Sequence, residues 1–108
     1  MEAMAVPINP GKLEAWEAWV SEMNGPRKAN FEDFNQRYGL TTHAAWLQGN
    51  PDGSHLVVVV TDGPGDSTFL GKVATSQNEF DAWFRSGIED VHPFDFSAPP
   101  PPAPERRL

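Results

Sequence analysis

The sequence predicts an α+β domain, an antiparallel sheet with helices on one face. Two observations carry this. The first is a hairpin over residues 41–62. Thr41-Thr42-His43-Ala44-Ala45-Trp46-Leu47-Gln48 and Ser54-His55-Leu56-Val57-Val58-Val59-Val60-Thr61-Asp62 flank Gly49-Asn50-Pro51-Asp52-Gly53. Branched valines suit a pleated, packed surface. In the connection Pro51 presets φ, Asp52 can bond its own backbone, and Gly53 permits positive φ. The second observation is that the segments on both sides of the hairpin repeat apolar residues at helical spacing.

Taken in order, residues 1–8 read as a first strand containing Val6 and Ile8, with Pro7 near its end, where a missing N–H is tolerated. Asn9-Pro10-Gly11 supplies helix-start chemistry, with Asn9 as N-cap and Pro10 in the first turn. The helix that follows runs to residue 23, with Leu13, Trp16, Val20 and Met23 on one face. Gly25 then offers a left-handed cap, and Pro26 opens a second helix to residue 38 with Phe31, Phe34 and Tyr38 aligned; Gly39 follows as its stop. After the hairpin, Asp66 or Ser67 caps a short helix holding Phe69, Leu70 and Val73. Ser76 and Glu79 form a capping box for the clearest helix of the chain, whose Phe80, Trp83, Phe84, Gly87, Ile88 and Val91 keep the i, i+3, i+4, i+7 pattern. His92-Pro93 ends it, and Phe94-Asp95-Phe96 has the alternation of a short edge strand.

Merging each helical pair gives βαββαβ, the order of ferredoxin-like folds. Residues 1–96 form this domain. Residues 97–108 form a Pro-rich tail that favours polyproline II and cannot build a core. One role for such a tail is as ligand for an SH3-like domain; the other is as a plain terminus. The Val-rich strand is too apolar to leave wet on either face, so the uncovered face calls for a second copy of the sheet, a homodimer.

Composition narrows function. The 108 residues carry a net charge of −7 with only eight Lys and Arg, which disfavours nucleic acid. There is no cysteine, so disulfides, thiolate zinc sites and thiol nucleophiles are excluded. No apolar run approaches the roughly 20 residues of a membrane helix, and the N-terminal region lacks a secretory pattern; a cytoplasmic location is the expectation. GxGxxG, Walker A, GxSxG and HExxH motifs are absent.

Gly25-Pro26-Arg27, Trp46-Leu47-Gln48, Pro51-Asp52-Gly53 and Phe80-Asp81-x-Trp83-Phe84, in this element order, resemble a family of small uncharacterised bacterial proteins in the dimeric α+β barrel superfamily. The likeness spans roughly residues 3–96. It implies a homodimer with facing sheets around a cavity. Its wider relatives include cofactor-independent quinone-forming monooxygenases, small polyketide cyclases, haem-binding proteins and stress-responsive proteins. No catalytic set of those relatives maps onto this chain.

Candidate chemistry starts at His43. Pairing Gln48 with Ser54 sets His43 opposite Val59 and Leu47 opposite His55, so His43, Ala45 and Leu47 share a face with His55, Val57 and Val59. A histidine among these neighbours is a candidate general base in a cavity lined by Ala45, Val57 and Val59; the competing reading is a hydrogen-bonded histidine at a sheet surface. His43 and His55 stand about 13 Å apart along the strands, too far to share a metal. Trp46 falls on the opposite face with Leu56 and Val58, taken as the helix-packing side; if the faces exchange, Trp46 lines the cavity instead. Tyr38 and His92 are candidate assistants, against a satisfied core hydroxyl and a helix C-terminal charge respectively. Arg27 and Arg85 read as solvated or as partners for an acidic ligand, and Asp62 as turn chemistry. The leading expectation is a cofactor-independent enzyme or ligand-binding relative acting on an aromatic or polyketide-like molecule. The alternative is a non-enzymatic dimeric accessory or stress-type domain.

Overall fold

The computed structural model describes residues 1–99 and 102–108; Pro100 and Pro101, part of the tail expected to be polyproline II, lie outside the described residues. The elements are β1 (Glu2–Pro7), α1 (Leu13–Asn24), α2 (Lys28–Arg37), β2 (Thr42–Gly49), β3 (His55–Asp62), α3 (Phe69–Val73) and α4 (Glu79–Val91). β1 pairs with β3 rather than β2, giving an antiparallel sheet in the order β1-β3-β2. The polypeptide between β1 and β2, holding α1 and α2, therefore crosses over β3. This is compatible with a ferredoxin-like fold but has three strands among the described residues. Phe94-Asp95-Phe96 makes no fourth strand. Asp95 Oδ1 instead accepts from Ser97 N–H (2.8 Å) and Oγ (2.7 Å), curling the chain into a turn.

The hairpin ladder sits two residues from the expected register. Gln48 faces Leu56 and His43 faces Thr61, not Ser54 and Val59. The turn moves with it. Asn50 N–H donates to Ser54 O (2.8 Å), Asp52 Oδ1 accepts from Ser54 N–H (2.9 Å), and Gly53 holds φ +87°. Gly49 and His55 are thereby freed to pair. A slip of two preserves side-chain parity, so the grouping of His43, Ala45, Val57 and Val59 on one face stands.

The role of that face is reversed. Val57 is 1% exposed against Ile8, Trp16 and Val91, so the His43 face packs under the helices. Glu2, Met4 and Val6 of β1 share it, opposite Thr61, Val59 and Val57. The other face carries Ala5, Leu56, Val58, Val60 and Trp46, the last 57% exposed. Sequence periodicity cannot separate the two because Val57–Val60 is apolar on both sides.

Several helix ends differ from expectation. Helix α1 begins at Leu13, because Gly11 adopts φ +77° and Asn9 turns to α4, donating its N–H to Val91 O (2.8 Å). Gly25 has φ −132° and is no left-handed cap; Arg27 closes that turn, its N–H on Glu22 O (2.7 Å). The short helix α3 is preceded by Thr68 rather than Asp66 or Ser67. The cap of α4 is Asn78, whose side chain accepts from Asp81 N–H (3.2 Å), while Ser76 is drawn away to the Asp81 carboxylate.

The core forms two clusters. One gathers Met23, Phe34, Leu40, Phe69, Val73, Phe80 and Phe84 between the helices; the other gathers Ile8, Trp16, Val57 and Val91 over the sheet. Trp19 and Val20 of α1 touch both. Gly87 makes room for Trp19: a Cβ there would overlap the indole.

Candidate functional site

Between the two clusters lies a cavity of roughly 520 Å³. That is within the range of small-molecule sites, and several times a void that accepts benzene. Val57 and Val59 form its floor, Trp16 and Trp19 of α1 one wall, and Phe69 and Phe84 another. The walls follow from the amphipathic patterns of α1 and α4, whose apolar faces meet the Val-rich strand without filling the space above Ala45.

His43 lines this cavity and is enclosed by aromatic rings, with centroids 5.0 Å from Phe31, 5.9 Å from Phe69 and 6.1 Å from Phe84. Its Nδ1 lies 2.9 Å from Asn35 Oδ1. An amide oxygen only accepts, so Nδ1 carries the proton and Nε2 the lone pair. Burial lowers the imidazole pKa to about 4, so the ring is neutral near pH 7.

His92 reaches the same cavity from the end of α4. Its Nδ1 lies 2.8 Å from Pro7 O, again fixing the proton on Nδ1. Burial lowers its pKa, opposed by the Pro7 carbonyl, so the helix C-terminal charge expected of it is not there. Among the described residues Trp19 Nε1 is the one buried side-chain nitrogen or oxygen with no partner. Among the described residues neither Nε2 has a protein partner and neither is shut off, so both touch accessible space. Among the described residues the lining holds no Lys or Arg; its carboxylates are Glu2 and Asp66, the latter paired with the N-terminal ammonium of Met1 (3.0 Å).

Of the other expected residues, Ala45, Val57 and Val59 line the cavity. Trp46 does not, because it stands on the uncovered face of the sheet. Tyr38 does not either. Its hydroxyl donates to Asp81, which also takes two bonds from Arg37 (2.7 and 3.1 Å) and one from Ser76 (2.7 Å). This 0%-exposed carboxylate ties α2 to α4. Burial pushes the Asp81 pKa up and those hydrogen bonds outweigh it, leaving it below the usual carboxylate range. Arg85 donates to Val73 O (2.6 Å) and Ser76 O (3.0 Å), and Arg27 stacks 4.4 Å over Trp83, so neither awaits an acidic ligand. Among the described residues no three His, Cys, Asp or Glu side chains converge as a metal site.

Sequence reasoning missed Asn35 and Thr61. Both were visible as polar residues in apolar patterns. Asn35 interrupts the Phe31–Phe34–Tyr38 stripe, and Thr61 continues the inward alternation of Val57 and Val59.

Comparison with protein-family models, with curated proteins and with solved structures finds no match to this chain.

Proposed function

We propose that this protein binds a small aromatic or polyketide-like molecule in the cavity between its sheet and its helices. The observation that carries the reading is a roughly 520 Å³ apolar cavity lined by two imidazoles, each fixed through Nδ1. Apolar walls with a few placed polar groups are the usual composition of a ligand site.

A second reading, cofactor-independent catalysis of cyclase or monooxygenase type, is favoured by His43 and His92 lining one cavity. There His43 Nε2 takes a proton from the bound molecule and His92 assists. The pKa of about 4 weighs against it. A base works best with a pKa near the working pH, and burial holds His43 well below it. Ligand binding without obligatory turnover is therefore the better-supported form.

The uncovered apolar sheet face, with Trp46 exposed on the edge strand β2, supports a homodimer formed sheet to sheet. Native mass spectrometry tests both parts. A dimer carrying an extra small-molecule mass supports them together. A monomer removes the dimer, and failure of aromatic probes to bind in equilibrium dialysis removes the cavity reading.

A further inference from the structure

We propose that the cavity selects an uncharged molecule that donates hydrogen bonds, a phenol or alcohol on an apolar frame, and rejects carboxylates and phosphates. This rests on the cavity being a ligand site and adds the polarity of what enters it.

Both histidine tautomers are fixed by their Nδ1 partners. A carbonyl oxygen offers lone pairs and no hydrogen, so His92 Nδ1, 2.8 Å from Pro7 O, must be the donor of that bond. In a neutral ring the remaining nitrogen, Nε2, is then an acceptor. The Asn35 amide oxygen, 2.9 Å from His43 Nδ1, imposes the same state on the second ring. Each ring nitrogen left over lacks a protein partner yet reaches accessible space, since the one buried and unpartnered side-chain polar atom among the described residues is Trp19 Nε1. That N–H is packed against Gly87 and shut off, so it does not offset the two acceptors.

The charges point the same way. Among the described residues no Lys or Arg lines the cavity, whereas Glu2 and Asp66 do, Asp66 already paired with the N-terminal ammonium of Met1 (3.0 Å). An anion leaving water for this space would lose its hydration, find no cation that is not already held by a carboxylate, and meet two lone pairs and the Glu2 carboxylate. A hydroxyl meets an acceptor in the same place. Thr61, paired across from His43 on the inward face, supplies a hydroxyl that can bond the same group in either role.

The test is equilibrium dialysis of the full chain at pH 7.5 against naphthalene, 2-naphthol, 2-methoxynaphthalene and 2-naphthoate, which share one frame. The expected result is that 2-naphthol binds about tenfold tighter than naphthalene or the methyl ether, the scale of one net hydrogen bond, with the naphthoate weakest. His92→Phe, checked by circular dichroism, should narrow the naphthol preference. Equal binding of naphthalene, ether and naphthol would overturn the proposal while leaving a ligand-binding cavity in place. Tightest binding of the naphthoate would overturn it too. If none of the four binds, the cavity reading itself fails and takes the proposal with it.

Discussion

Replacing His43 with Leu should remove a specific part of the protein's acid sensitivity. In the unfolded chain the imidazole titrates near 6.5, whereas burial among Phe31, Phe34, Phe69 and Phe84 lowers it to about 4 in the fold. A depressed histidine pKa means that the unfolded state takes up a proton the native state refuses. Stability is then full above about pH 6.5 and falls as the pH drops toward 4. At pH 5 the unfolded imidazole is about 97% protonated and the folded one about 9%, which is worth about 2 kcal/mol. Below pH 4 the difference approaches about 3 kcal/mol. Urea denaturation of wild type and His43→Leu at pH 8 and pH 5 isolates it, because the pH-independent cost of losing the Asn35 bond cancels in the double difference. Wild type should lose about 2 kcal/mol more than the variant between the two pH values. His92, also depressed, contributes to both proteins and drops out. Equal losses in the two proteins would mean that His43 titrates as freely folded as unfolded, and the buried aromatic enclosure would be refuted.

Other outcomes follow from single contacts. Asp81→Asn leaves Arg37 with Asp33 as its one carboxylate partner and sets an amide N–H against the donors Arg37, Tyr38 and Ser76, which should cost about 1–3 kcal/mol by urea denaturation. Because the Asp81 pKa is depressed, its contribution should fade only as the pH falls through and below the ordinary carboxylate range, under the His43 window. Gly87→Ala should destabilise by about 1–3 kcal/mol through overlap with Trp19, visible as a lower melting temperature. Trp46→Glu should leave the monomer's circular dichroism unchanged and abolish any dimer in native mass spectrometry, since the side chain is 57% exposed on the uncovered face. Removing residues 97–108 should change unfolding free energy by no more than about 0.5 kcal/mol, as residues 102–108 are exposed.

The sequence made elements legible wherever one periodicity acted alone. The α4 stripe of Phe80, Phe84 and Val91 reads as a helix and is one, with all three buried. It misled where two local signals competed for the same residue. Ser76 is a plausible cap by spacing, yet the Asp81 carboxylate, held under α2 by Arg37 and Tyr38, takes its hydroxyl, and Asn78 caps instead. No local rule contains a partner 44 residues away. Tyr38 left the candidate site for the same reason, its hydroxyl claimed by that carboxylate.

The faces of the sheet show a different limit. Parity follows from alternation, so His43 was grouped correctly with Val57 and Val59 despite a register slip of two. Which face meets the helices depends on where α1 and α4 land, and four consecutive valines carry no preference. The consequence is functional. On an open face His43 would be a wet histidine near its ordinary pKa; beneath the helices it is a neutral acceptor whose proton is pinned by Asn35. The same residue in the same strand changes from candidate base to candidate selector because of packing decided elsewhere in the chain. Trp46, on the opposite face of the same strand, changes the opposite way, from expected core to an exposed side chain at the edge of the uncovered face.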